Sequence, residues 1–158
     1  MSMRIGIHLP QFGRAAVAGG IERAAKEAEA LGFDDVWVSD HLVIPKDQAY
    51  PGVWIGGGSD AAINRALTKA DGYHALDQPV EEIRDLVKRL RDTQPDESWT
   101  ISMRMTWDFT AGEEAELAKK VDALTEAGIQ SLHLAPTKGD LDAWLKGQEA
   151  VATALKLR

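Results

Sequence analysis

The sequence predicts an α/β fold, a parallel sheet with helices packed outside it. Three observations carry this. Short strand-like stretches alternate along the chain with segments whose apolar residues recur at helical spacing. At 158 residues the chain is the length of one domain and long enough to bury a sizeable core. With 44% hydrophobic and 27% charged residues, it reads as globular rather than disordered.

Arg4-Ile5-Gly6-Ile7-His8-Leu9 is the first predicted strand, ended by Pro10. Ile21, Ala24, Ala25, Ala28 and Leu31 then repeat at helical spacing, and Gly32 supplies a stop. Val36 to Ser39 and Val53 to Gly56 are the second and third strands. Ser59 is placed to cap a helix with Ile63, Ala66, Leu67 and Ala70 on its buried side. Asp71-Gly72-Tyr73-His74 is a short fourth strand. Pro79 opens the next helix, with Glu81 and Glu82 near its positive end and Lys88, Arg89 and Arg91 near its negative end. Its apolar stripe is Val80, Ile83, Val87 and Leu90.

Thr100 to Trp107 alternates cleanly, with Ile101, Met103 and Met105 against Thr100, Ser102, Arg104 and Thr106. Thr110 and Glu113 match a capping box for a helix carrying Ala118, Val121 and Leu124 and stopping at Gly128. Ser131 to Ala135 is the last strand, and a helix with Leu141, Trp144, Leu145 and Val151 follows.

The stretch from His41 to Gly52 breaks the alternation. It contains Pro45 and Pro51 and no helical stripe. Parallel neighbours need a crossover of a dozen or more residues, usually helical. Extended at about 3.3–3.6 Å per residue, this linker reaches about 40 Å, so strands two and three can be neighbours. It supplies no helix to cover the outer faces of Val36, Val38, Val53 and Ile55.

Alternation also sorts the sheet's other face. If Ile5/Ile7/Leu9, Ile101/Met103/Met105 and Leu132/Leu134 face the helices, then Gly6, His8, Trp37, Ser39, Trp54, Gly56, Thr100, Ser102, Arg104, Thr106 and His133 face inward. Branched aliphatics usually fill a closed barrel. A polar and aromatic lining predicts a pocket for water or ligand, the alternative being an open sheet with a wet second face.

Two motifs carry chemistry. Gly56-Gly57-Gly58-Ser59 lies between a strand and a helix, where backbone N–H groups can cradle a phosphate; a tight structural turn is the other reading. Asp40-His41 lies just beyond the second strand, where βα-barrels gather catalytic groups. His41 suits general acid–base work, and Asp40 could bond a cofactor ring or orient the imidazole; a loop cap or surface pair is the other and more frequent reading of an Asp-His pair after a strand. His8 and His133 line the same cavity or are structural, His74 falls in a loop or at a strand end, and Arg104 is placed to meet a phosphate or carboxylate.

Exclusions follow from composition. No His/Asp/Glu set has metal-ligand spacing. The net charge of −7 argues against nucleic acid or an anionic membrane as partner. No apolar run approaches the roughly 20 residues of a membrane span, and Met1-Ser2-Met3-Arg4 leads directly into a strand. Without cysteine there is no disulfide, thiolate catalysis or sulfur-bound metal. A cytoplasmic location is expected.

Arg4-Ile5-Gly6-Ile7-His8-Leu9-Pro10, Gly32-Phe33-Asp34-Asp35-Val36-Trp37-Val38-Ser39-Asp40-His41, Val53-Trp54-Ile55-Gly56-Gly57 and Ala70-Asp71-Gly72-Tyr73 together resemble the luciferase-like monooxygenases, and within them the deazaflavin-dependent oxidoreductases. The resemblance implies a TIM barrel, normally of eight strands, and FMN or a deazaflavin coenzyme used for hydride transfer or oxygenation of a small-molecule substrate. It places Asp40 and the catalytic candidate His41 at the cofactor ring, and Gly56, Gly57, Gly58 and Ser59 near the cofactor phosphate. The family's third and fourth strands have no counterpart between Tyr50 and Val53.

The expectation is therefore one domain over residues 1–158. It is a trimmed TIM-type barrel of about six parallel strands and outer helices, shortened near residues 41–52, and either closed narrowly or completed by oligomerisation. An open edge of apolar strands is an association site, so a homodimer or higher homo-oligomer is expected. As to function, the expectation is a flavin- or deazaflavin-dependent oxidoreductase or monooxygenase with impaired cofactor binding. The alternative is a catalytically silent remnant that binds a phosphate ligand or is purely structural.

Overall fold

The computed structural model describes residues 3–11, 13–38, 53–137 and 139–157. The strands are β1 (Arg4–His8), β2 (Asp35–Trp37), β3 (Trp54–Gly56), β4 (Gly72–Ala75), β5 (Thr100–Trp107) and β6 (Ser131–Pro136). The helices are α1 (Gly20–Ala30), α2 (Asp60–Lys69), α3 (Val80–Thr93), α4 (Glu114–Glu126) and α5 (Leu141–Ala154). All six strands are parallel, in the order β2-β1-β6-β5-β4-β3. That is the circular order of a βα-barrel with its seam opened between β2 and β3. The sheet curls so far that Trp37 of β2 and Trp54 of β3, on opposite edges, stack with ring centroids 5.8 Å apart.

Register is pinned at the strand starts by aspartates. Asp34 Oδ2 accepts the Ile5 N–H at 2.7 Å while the Asp34 N–H donates to the Ile5 carbonyl. Asp71 repeats the device on Val53, its Oδ2 accepting at 2.8 Å and its N–H donating back. Each aspartate thus closes two backbone groups of the neighbouring strand. At the same end, Gln130 Oε1 accepts from the Ile101 N–H and from Arg91, and its Nε2 donates to the Glu97 carbonyl.

The predicted glycine stops act through one motif. After α1, the Gly32 N–H donates to Glu29 and the Phe33 N–H to Ala28, with Gly32 at φ +85°. After α4, Gly128 at φ +97° donates to Thr125, and Ile129 to Leu124. A residue without Cβ takes this left-handed turn at no steric cost. Ser59 caps α2 as predicted, its Oγ accepting from the Ala62 N–H.

Two local readings need correction. Thr110 and Glu113 form no capping box: Glu113 is the N-cap of α4 without a side-chain bond, and Thr110 instead bonds Asp108 Oδ1 through both its N–H and its hydroxyl. Asp108 offers that acceptor two residues upstream and takes the threonine out of reach of the helix. In α1 the buried face is Gly20, Ala24 and Ala28, and Ile21 is exposed. The small residues let α1 lie close to its neighbours, which rotates Ile21 outward.

The core lies between the sheet's outer face and the helices. Ile5, Ile7, Ile101, Met103, Met105, Leu132 and Leu134 are buried there with Ile83, Leu90, Leu117, Leu124 and Val151 of α3, α4 and α5. Beside the seam the described residues leave valines uncovered. Val36 is 47%, Val38 53% and Val53 40% exposed.

Candidate functional site

The inner face follows the alternation of the sequence. Register places Gly6, His133 and Arg104 side by side, with His8 beside Trp37, His74 beside Ser102, and Trp54 beside Gly72. Large side chains from both edges turn into this space because glycines, Gly6 and Gly72, vacate it. A Cβ on Gly72 would meet the Thr100 carbonyl at 2.5 Å and the Trp54 ring at 2.9 Å.

The predicted open pocket is, in the middle of the curl, a stack of rings. Trp37 lies on His133 with centroids 3.8 Å apart. His74 packs on both, 5.2 Å from His133 and 5.8 Å from Trp37, and Trp54 is parallel to His133 within 3°. His74 is therefore an interior residue of β4, not a loop or strand-end residue. The misreading arose because β4 is only four residues long, too short for its alternation to show.

Burial governs the charge state of this layer. It lowers His133 to about 3, helped by His74, His8 and Arg4. It lowers His74 to about 4, with Arg104 adding to the effect. His8 is likewise lowered to about 4 by burial, then by Arg104 and His74. All three imidazoles are neutral at pH 7. His74 Nδ1 is 2.8 Å from Ser102 Oγ, and His133 Nε2 is 2.9 Å from Ser131 Oγ. His133 Nδ1 and His8 Nε2 are buried with no partner.

The ring layer divides the interior into two ends. At the C-terminal mouth, where βα-barrels do chemistry, a small cavity of about 100 Å³ is bounded by His8, Gln11, Arg104, Pro136 and Trp144. Arg104 is exposed, and among the described residues no carboxylate lies within ion-pair distance of it. Asp77, the carboxylate after β4, is already held by Thr106 and Lys120. Trp144 Nε1 is buried without a partner among the described residues. Around one cavity the structure thus gathers a guanidinium, an unpaired indole N–H and a neutral imidazole that can present an N–H.

The sequence-predicted site residues fare unevenly. Asp40 and His41 lie outside the described residues, as does Ser39. Gly56 ends β3, Gly57 takes φ +119°, and Ser59 caps α2. The Gly57 carbonyl is taken by the Tyr73 hydroxyl, and a Cβ on Gly58 would meet open space. This is a competent turn with one exposed edge. It is not part of the lining of the cavity beside Arg104, which comes from β1 and the residues after it, β5, β6 and α5. Trp144 was readable in the sequence only as an apolar position of the last helix, so its unpaired N–H gave no signal.

Set against known proteins, the chain matches no family model and no curated sequence. Among the described residues no helix is long and apolar enough to cross a membrane, and no cluster of three or more His, Asp or Glu could hold a metal ion.

A flavin or deazaflavin is larger than the cavity beside Arg104. Small-molecule sites typically occupy about 300–1,000 Å³, and the cavity between His8, Arg104 and Trp144 has about 100 Å³. The stacked Trp37 and His133 close the floor below it. That space equals about three waters at roughly 30 Å³ each, the scale of one oxyanion.

Proposed function

We propose that this chain is a shortened luciferase-like barrel that binds a small oxyanion, a phosphate or carboxylate group, at its C-terminal mouth. The observation that carries this is Arg104, exposed and without a carboxylate partner beside the unpaired Trp144 Nε1 and His8 Nε2. An oxyanion would satisfy all three groups together, and hydrogen bonds to a charged group contribute more than neutral ones. The resemblance of the strand segments to the luciferase-like monooxygenases supports a mouth evolved around a phosphate-bearing ligand.

Calorimetric titration with inorganic phosphate tests this. Wild type is expected to bind, and Arg104→Ala to weaken binding by about tenfold or more, the loss of one charge-assisted bond. Equal affinity of the two proteins would remove the proposal.

A second reading, a flavin- or deazaflavin-dependent oxidoreductase, is favoured by the uncovered valines at the seam. In this reading a second copy covers Val36, Val38 and Val53 and completes the cofactor site across the interface. Light scattering at micromolar concentration is expected to show a dimer or larger assembly, and a clean monomer would exclude it. Fluorescence titration with FMN and with a deazaflavin coenzyme completes the test, and no binding of either at tens of micromolar would exclude this activity.

A further inference from the structure

The opposite end of the half-barrel holds a larger cavity, of about 760 Å³, at the strand starts. That volume falls within the range of small-molecule sites, unlike the cavity beside Arg104. Its walls include both indoles of the seam, Trp37 and Trp54, together with Arg4, Asp35, Glu97 and Thr100.

We propose that this cavity is a second binding site, for a planar aromatic cation or an amino-substituted heteroaromatic ring. The indoles supply the aromatic surface. They are in contact with each other, with centroids 5.8 Å apart and planes at 27°, so a ligand ring lies against the pair and not between its members. A ring carrying positive charge gains most from such a surface, because indole is the strongest side-chain partner in cation–π contacts.

Charge points the same way. Arg4 is the one cation among the lining residues, and its guanidinium is already committed to Asp35 Oδ1 at 2.7 Å and to the Asp34 carbonyl. Asp35 Oδ2 and the Glu97 carboxylate accept no hydrogen bond from the described residues, and the Thr100 hydroxyl is unpaired. The groups of this wall without a protein partner among the described residues are therefore mostly acceptors, with a net negative charge. An amidinium or exocyclic amine would donate to Asp35 and Glu97 while its ring covers the indoles. Anions, suited to the mouth, are repelled here.

Benzamidine and benzoate test this, being closely similar in size and opposite in charge. Calorimetry on the full chain at pH 7.5 is expected to show benzamidine binding at least tenfold tighter than benzoate. Asp35→Asn should weaken benzamidine about tenfold. Because Asp35 also holds Arg4, Glu97→Gln on the exposed rim provides a second variant, expected to weaken it severalfold with an unchanged melting temperature. Trp54→Leu should abolish binding.

Arg104→Ala should leave benzamidine affinity unaltered, so the fate of this site is separable from that of the mouth. Absence of benzamidine binding at 10 mM would overturn the proposal. So would equal affinity for benzoate, or full affinity in both the Asp35 and Glu97 variants.

Discussion

Acidification from about pH 7.5 to about pH 5 is expected to cost this protein about 3–6 kcal/mol of stability, well before its carboxylates titrate. The cause is the ring layer. His8 and His74 are held down to about 4 and His133 to about 3, against an ordinary value of 6.5. Between those values and 6.5 the unfolded chain binds protons that the folded chain refuses. Stability is therefore complete above about 6.5 and falls as pH drops toward 4. For one imidazole displaced to about 4 the loss at pH 5 is about 2 kcal/mol, and His8, the most open of the three, contributes less.

At about 2–4 °C per kcal/mol for a domain of this size, the melting temperature should fall by roughly 10–20 °C. Circular dichroism melts across the range measure it directly. His133→Phe, which keeps the stack with Trp37 and removes the most displaced imidazole, should flatten the slope. A melting temperature constant from 7.5 to 5 would mean that the three rings are neither buried nor neutral together.

Gly147→Leu is expected to destabilise the fold by about 3 kcal/mol. A Cβ built on Gly147 would collide with Phe109 Cβ and stand 2.8 Å from its ring. Phe109 is itself buried, packed near Trp144 in the turn after β5, and has little freedom to yield. The smaller change Gly147→Ala is the more telling. Gly147 lies within α5, and helix propensity alone predicts a gain of about 1 kcal/mol from alanine. The contact with Phe109 predicts a net loss instead. A melting temperature raised by Gly147→Ala would show that α5 does not seat on Phe109 as closely as the structure places it.

Much of the fold was legible because periodicity reports which face of an element meets the core. Strand β5, with Thr100, Ser102, Arg104 and Thr106 on one side and Ile101, Met103 and Met105 on the other, could be read residue by residue. Helix stops at Gly32 and Gly128 were equally plain, since few other residues take that turn. Less legible were contacts between elements. Thr110 serves Asp108 and not the helix after it, a choice between two local acceptors that spacing does not rank. Of the two sequence motifs with the strongest chemical look, Asp40-His41 lies outside the described residues, and Gly56 to Ser59 forms a turn that is not part of the lining of the cavity beside Arg104.

Local chemistry, then, dictated the alternation of strand and helix, the parallel sense that goes with it, the uncovered seam at Val36 and Val53, and the identity of the inward-facing residues. Those properties reside in spacing along one chain, and spacing is what a sequence records. The curl of the sheet is different in kind. It brings Trp37 from one edge onto His133 and against Trp54 from the other, fills the middle of the lumen, and separates the cavity at Arg104 from the one at the strand starts. No local rule contains that outcome, because it depends on how six twisted strands meet across a gap and on which large rings find the space that Gly6 and Gly72 leave open.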